Sequence, residues 1–271
     1  MNNNTVNLPH LCQQVQNLVL QVAQFIREQA GQVRQQDIET KQRNHLVSYV
    51  DKTSEKMLIE GLQPLLPTAG FVAEEGTVAQ THNDWQWVID PLDGTTNFLY
   101  QIPSYAISVG LMYKNKVVLG VVCEINRNEL FYAWQNGGAY LNGKPIKVNP
   151  NSRFDTAFFG TGFPYYDYAV IEPYLQVLKH LMLHTNGARR LGAAAVDLCY
   201  VACGRFDGFF EHSLSIWDVA AGSLIITEAG GQVSDFNGQD NYLSGRQIVA
   251  ASPSIWGEFF GLVNEHLGEQ G

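Results

Sequence analysis

The sequence predicts a mixed protein, α+β passing into α/β, built in two parts with helices covering sheets. Three observations predict it. An amphipathic helical stripe opens the chain. Short β-rich segments separated by turn residues follow from residue 70. Beyond about residue 150 strands and helices alternate, the pattern of a sheet covered by helices.

The elements follow in order. Leu11, Val15, Leu18, Val22, Phe25 and Ile26 recur at three- and four-residue spacing, which predicts the first helix. A second helix is expected over about 51–62, stopped by Gly61 and Pro64. Strands are predicted over 70–74, 85–90, 105–112, 117–124 and 129–134. Lys114-Asn115, Asn136-Gly137-Gly138 and Asn142-Gly143 read as hairpin turns. The strand run thins out around 145–152, which divides the chain into parts of 1–150 and 151–271. In the second part strands are expected over 156–160, 207–210, 232–234 and 247–251. Helices are expected over 168–183, 192–203 and 216–228, with a last one after Pro253.

The chain has 271 residues, with 17 basic against 26 acidic side chains and a net charge of −9. An apolar share of 45% excludes a disordered acidic chain. The acidic balance argues against general nucleic-acid binding, which wants a basic surface. No apolar run reaches the length of a membrane span. The first basic residue is Arg27, so no signal-peptide n-region is expected. Cys12, Cys123, Cys199 and Cys203 lack zinc-type spacing and read as reduced thiols of a cytoplasmic protein.

Chemistry is concentrated in three segments. In Trp87-Val-Ile-Asp90-Pro-Leu-Asp93-Gly-Thr-Thr-Asn97-Phe98 an apolar strand runs into two aspartates, then into a possible helix start. Two hard carboxylates at a strand end suit Mg²⁺, and free N–H groups at a helix start suit an anion. A surface turn with an Asp or Thr cap is the competing reading. Phe71-Val-Ala-Glu74-Glu75 is a second strand ending in acids, which a solvated pair would also explain. Ser215-Ile-Trp217-Asp218 opens a helix, and a capping box would explain it as well. Together the three offer carboxylates from three elements. Converging carboxylates need a cation or a proton between them.

These segments, with Thr227-Glu-Ala-Gly-Gly231 further on, resemble the inositol monophosphatase family of Mg²⁺-dependent, lithium-sensitive phosphomonoesterases. The likeness runs from about Asp51 to Ala251. It implies a layered α-β-α-β-α sandwich of the sugar-phosphatase type, with an antiparallel N-terminal sheet and a smaller mixed C-terminal sheet. It implies Glu74, Asp90, Asp93, Asp218 and the carbonyl of Leu92 as ligands of two or three Mg²⁺ ions. Mn²⁺ would substitute, and Li⁺ or Ca²⁺ would inhibit. Gly94 and Thr95 would hold phosphate, and Asp51 would pair with Thr95 to orient and deprotonate water beside Glu74. Glu211 would accept a substrate hydroxyl, and Gly192, Ala193 and Ala194 would let a ring approach the backbone.

The activity so implied is hydrolysis of a small phosphomonoester, myo-inositol monophosphate first, by a homodimer. Fructose 1,6-bisphosphate, histidinol phosphate and nucleotide phosphates are alternatives, as is a regulatory or binding protein on the same scaffold. His45 stands where the family usually has an acid, and Lys41 is the nearest match to its upstream basic residue. Arg189-Arg190 reads by default as a solvated turn, with contact to substrate or to a subunit neighbour as the alternatives. Gly160-Thr-Gly-Phe-Pro164 resembles bacterial members.

Overall fold

The computed structural model describes residues 6–42, 45–81, 83–164 and 168–269. Helix α1 (Leu8–Gln29) buries Leu11, Val15, Val19, Val22 and Ile26 along one stripe. Strands β1 (Ile38–Gln42) and β2 (His45–Ser48) form a small antiparallel hairpin that the hydrophobic pattern did not announce. Helix α2 (Tyr49–Leu62) starts two residues before its expected position, because Ser48 caps it: Val50 N–H donates to Ser48 Oγ (3.1 Å), and Ser48 N–H to Asp51 Oδ2 (2.8 Å).

Seven strands then form one sheet: β3 (Gly70–Ala73), β4 (Trp85–Asp93), β5 (Ala106–Tyr113), β6 (Lys116–Glu124), β7 (Glu129–Trp134), β8 (Ala139–Leu141) and β9 (Lys144–Ile146). The single-turn helix α3 (Thr95–Leu99) lies between β4 and β5. The turns Lys114-Asn115 and Asn142-Gly143 have the left-handed φ values (49° and 64°; 48° and 79°) of tight hairpins. One expectation is corrected. The sheet is mixed, because β3 runs parallel to β4 while every other pair is antiparallel.

The second sheet has five strands in the order β11-β10-β12-β14-β13, with both parallel and antiparallel pairs. These are β10 (Phe159–Thr161), β11 (Ala188–Arg189), β12 (Gly208–His212), β13 (Gln232–Ser234) and β14 (Gln247–Ala251). Helices α4 (Ile171–His184), α5 (Ala194–Ala202), α6 (Ile216–Glu228) and α7 (Pro253–Leu267) accompany it. The strand expected over 156–160 begins only at Phe159, since Phe154–Thr156 is a 3₁₀ turn. The helix expected from Gly192 begins at Ala194, since Gly192 has φ +89° and cannot be helical.

Period-2 burial assembles the layers. Trp87, Ile89, Ile107 and Val109 face α1 and α2 in one core. Ala106, Val122 and Phe131 face the other way, onto α5 and α6. Phe209, Ile248 and Ala250 of the second sheet pack into that same middle layer, while Phe210, Val249 and Ala251 face α4 and α7. The result is the α-β-α-β-α sandwich. Helix α6 sits closest to the first sheet, over the cross-strand pair Gly110↔Gly120. A Cβ on Gly120 would stand 2.7 Å from Ala221 O, and one on Gly110 would stand 3.2 Å from Ala220 Cβ. Those two glycines permit the approach that brings the N-terminus of α6 to the end of β4.

Candidate active site

The parallel pairing of β3 with β4 has a direct chemical result. Register places Ala73 beside Ile89, and Glu74 N–H donates to Ile89 O (3.2 Å). The next residues, Glu74 and Asp90, therefore stand side by side toward the same ends of the two strands. In an antiparallel pair they would stand at opposite ends. The β4–β5 register shifts between Asp90 and Asp93, so the strand bulges at Pro91-Leu92 and both aspartates face the same cleft. Leu92 N–H donates to Asp90 Oδ1 (2.9 Å) and fixes that carboxyl. Asp218 arrives on α6, held by Ser215 N–H (2.6 Å to Oδ2). The capping box and the cleft position are both real, so the two readings of Ser215-Asp218 do not compete. A cavity of about 840 Å³ is lined by Glu74, Asp90, Asp93, Thr95, Glu211 and Asp218, among others.

The electrostatics follow from this crowding. Burial, then the charges of Glu74, Asp93 and Asp218, hold the Asp90 carboxyl well above the ordinary range. Asp218 is raised in the same way, by burial and then by Asp93 and Glu74. Burial pushes Asp93 up to about 7 against the opposing N–H of Ala195, which donates to Oδ2 at 2.7 Å. Asp90 shares side-chain hydrogen bonds with Glu74 and with Asp218. Carboxyls this close require a proton or a cation between them. The donors are all hard oxygens, the set Mg²⁺ takes. Among the described residues no three acid, His or Cys side chains already form a finished cage. The fit to a divalent ion is one of donor chemistry and charge.

Beside the acids lies a relay. Thr95 Oγ1 is 2.8 Å from Asp51 Oδ1 and 3.0 Å from Leu92 O. Asp51 itself is buried behind the wall, with Ser48 N–H and Oγ both on Oδ2 (2.8 and 2.7 Å). Burial raises its pKa, and the Ser48 and Thr95 bonds oppose the rise. Gly94 needs to be glycine twice over. Its φ is +87°, and a Cβ would stand 3.0 Å from Ser104 O and 3.2 Å from Gly192 O. Because α3 is only five residues long, its macrodipole is small. Gly94 and Thr95 both line the cavity.

The wall facing the acids is assembled from the second half of the chain. Gly192, Ala194 and Glu211 line the cavity. Ala193 does not; it is buried behind the wall, against Gly94. Burial pushes Glu211 up to about 8, with Arg190 opposing and Asp218 and Asp93 adding. Arg190 is exposed, as a solvated turn requires, but it does more than solvate that turn. It lies on the cavity wall, with its guanidinium over the Phe163 ring at 5.5 Å and its charge acting on Asp93, Asp197 and Glu211. The side chains of Lys41 and His45 lie outside the described residues.

Three further residues, one of them Asn97 inside the Asp90–Phe98 motif, had no role predicted from the sequence. Glu55 on α2 accepts from Glu75 N–H, Thr77 N–H and Thr77 Oγ1, each at 2.7 Å, and so fixes the turn after Glu74. Asn97 Nδ2 donates to Ser104 O (2.7 Å) and Leu191 O (2.8 Å), tying the two halves of the cleft together. Asp197 is buried, and its Oδ1 has no hydrogen-bond partner among the described residues.

Comparison with known proteins gives the family and the fold. The family model "Inositol monophosphatase family" matches residues 9–270. Nus factor SuhB of Escherichia coli (strain K12) is 42% identical over 213 residues, which cover 78% of this chain and 80% of that protein. The crystal structure of the extragenic suppressor protein SuhB from Bartonella henselae superposes with a TM-score of 0.87 at 33% identity, covering 93% of this chain and 97% of that one. Inositol monophosphatase from Anabaena (Nostoc) sp. PCC 7120 gives 0.83 at 31% identity, covering 96% and 97%. With its layers, its acidic cleft and this match over nearly its full length, the chain belongs to the inositol monophosphatase family.

Proposed function

We propose that this protein is a Mg²⁺-dependent phosphomonoesterase acting on a small polyol phosphate, with myo-inositol monophosphate as the first substrate to test. The observation that supports it is the meeting of Glu74, Asp90, Asp93 and Asp218 in one cleft beside the Asp51–Thr95 pair. Glu74, Asp90, Asp93, Asp218 and Leu92 O would hold two or three ions. When bound, Mg²⁺ supplies activation of a water molecule and neutralisation of phosphate charge. The remaining work belongs to the chain. Asp51 takes the Thr95 hydroxyl proton in a hydrogen bond, which leaves Thr95 Oγ1 as the acceptor that orients the attacking water. Gly94 and Thr95 N–H groups meet the phosphate oxygens. Glu211 holds a hydroxyl of the leaving group, and Gly192 with Ala194 leaves room for a ring. Mn²⁺ is the expected substitute ion, and Li⁺ and Ca²⁺ the expected inhibitors.

Fructose 1,6-bisphosphate and histidinol phosphate keep the same chemistry and differ only on the substrate side. A binding role is the second reading, and it is favoured by the E. coli relative being a Nus factor. The −9 charge weighs against direct nucleic-acid contact, so a protein partner is the better form of it. Homodimerisation is expected too, and the exposed Leu175, Met182 and Leu183 on α4 would suit it. Among the described residues no helix is long and apolar enough to cross a membrane.

The test is phosphate release from a panel of phosphomonoesters with and without Mg²⁺ and Li⁺. Fast, lithium-inhibited release from inositol monophosphate supports the proposal. Release without any divalent ion would overturn the mechanism. Release from no ester, together with capture of a Nus-type partner, would favour the second reading.

A further inference from the structure

The segment Gly160-Thr-Gly-Phe-Pro164 runs alongside the residue assigned to the substrate hydroxyl. Strand β10 pairs in parallel with β12, with Thr161 beside Phe210, so the next pair along is Gly162 and Glu211. The Glu211 carboxyl folds over the Gly162 backbone and fills the space a side chain would need. A Cβ on Gly162 would stand 1.7 Å from Oε1, 1.9 Å from Cδ and 2.3 Å from Oε2 of Glu211. All three nearest atoms belong to the far end of that one side chain.

The floor beneath is rigid. Tyr174 Oη on α4 and Thr161 Oγ1 lie 2.8 Å apart. Both sit within hydrogen-bonding distance of Gly162 O (3.2 and 3.3 Å) and of Phe210 O (3.2 and 3.0 Å). Tyr174 is 1% exposed and Thr161 2%. Two buried hydroxyls thus staple the strand ends under the carboxyl, so the backbone of residue 162 is not free to retreat. An added methyl group must displace the Glu211 carboxyl.

We propose that Gly162 is the positioning residue that sets selectivity for polyol phosphates, by reserving the place from which the Glu211 carboxyl reaches a substrate hydroxyl. This rests on the reading of Glu211 as a substrate residue. It differs from that reading in locating the control of selectivity on the neighbouring strand. A polar site built for a hydroxyl discriminates strongly only while its acceptor is in place. The substrate class follows: a phosphomonoester whose alcohol carries a further hydroxyl within reach of Glu211.

The experiment uses the full chain with Mg²⁺ and compares Gly162→Ala, Glu211→Ala, the double variant G162A/E211A, and G162A/E211D. Substrates are inositol monophosphate and phenyl phosphate, which has no second hydroxyl. Gly162→Ala is expected to raise KM for inositol monophosphate about tenfold, the loss of one hydrogen bond to a buried carboxyl, with a smaller change in kcat. KM for phenyl phosphate should move less than about twofold, and the melting temperature should hold, because the methyl meets only a flexible side-chain end. G162A/E211A should be no worse than Glu211→Ala alone, since both remove the same contact. In G162A/E211D the shorter acid clears the methyl, and part of the lost selectivity should return.

If Glu211→Ala raises KM and Gly162→Ala does not, the positioning role is wrong and the site reading stands. Should Glu211→Ala leave KM unmoved, the reading of Glu211 fails and the proposal with it. Equal loss on both substrates in Gly162→Ala would mark a general structural defect and overturn the proposal too.

Discussion

On the acid side of the cleft, backbone fixes the side chains. Glu74 and Asp90 are aligned by parallel strand register, Asp90 by Leu92 N–H, Asp93 by Ala195 N–H, and Asp218 by the N–H of its own helix cap. On the substrate side, packing fixes them. Glu211 lies over a glycine, Arg190 stacks on Phe163, and Asp197 is buried with an unmatched oxygen. The difference teaches where each property is stored. On the proposed reading, chemistry would rest on main-chain contacts, the Ala195–Asp93 bond reaching across 102 positions, and selectivity would rest on side-chain packing.

If that division holds, changes on the acid side should cost turnover and changes on the other side should cost selectivity. The largest expected effect is Asp90→Asn. It removes the charge at the centre of the carboxyl cluster while keeping size and shape. Turnover should fall on the order of 10³-fold or more with every substrate alike, with the fold unchanged by circular dichroism. Near-normal Mg²⁺-dependent turnover in this variant would break the comparison at its root. Asp51→Asn comes next. It removes the charge and leaves one acceptor oxygen, for Thr95 or for Ser48 N–H but not both, so kcat should fall about a hundredfold with KM little changed. A rise in KM alone would move Asp51 from the chemistry to binding.

A smaller and more general effect is expected from pH. Asp93 is pushed up to about 7 and Glu211 to about 8, whereas in the unfolded chain both titrate near ordinary carboxylate values. The folded protein therefore holds protons that the unfolded chain has already released. Its stability is full below the ordinary carboxylate range and is lost as pH rises through about 7 to 8. In EDTA the melting temperature should fall between pH 5 and pH 8.5. Mg²⁺ should flatten that fall, since a cation replaces the missing protons. A melting temperature in EDTA that is level or rises over this interval would mean that the acids do not stay together without metal.

The same division explains how much could be read beforehand. Asp90-Pro-Leu-Asp93, Glu74 and Ser215-Asp218 lie at ends of apolar runs, where periodicity marks them out. The five layers were implied by the family resemblance alone; Trp87, Val88 and Ile89 form an unbroken apolar run, and only the fold sends Val88 to the opposite face from its neighbours. What the linear sequence hid was pairing between segments. Nothing near Gly70–Ala73 says that this strand runs parallel to β4, although that alone brings Glu74 to Asp90. Arg190 looks like half of a solvated pair until Phe163 and Glu211 are placed around it. Glu55 and Asn97 act on partners 7 to 94 positions away and Asp197 through burial, and nothing in the linear sequence names those partners.

Glycines give the finest test, because Gly162 and Gly120 exclude a methyl group for different reasons. At Gly162 the methyl would meet a flexible carboxyl end. At Gly120 it would meet main chain, 2.7 Å from Ala221 O and 3.0 Å from Ala221 Cα. Helix α6 cannot swing a backbone aside as a side chain swings, so Gly120→Ala must lift the helix off the sheet. Overpacking of this kind costs about 1–3 kcal/mol of stability, readable in urea as a lower midpoint at unchanged slope. The lifted helix carries Asp218, so the Mg²⁺ concentration for half-maximal activity should rise severalfold. The preference for inositol monophosphate over phenyl phosphate should stay where it was, since Glu211 and Gly162 belong to the other sheet. If Gly120→Ala instead shifted that preference and left the Mg²⁺ requirement alone, the two sides of the cleft would not be separable, and their different construction would have no functional meaning.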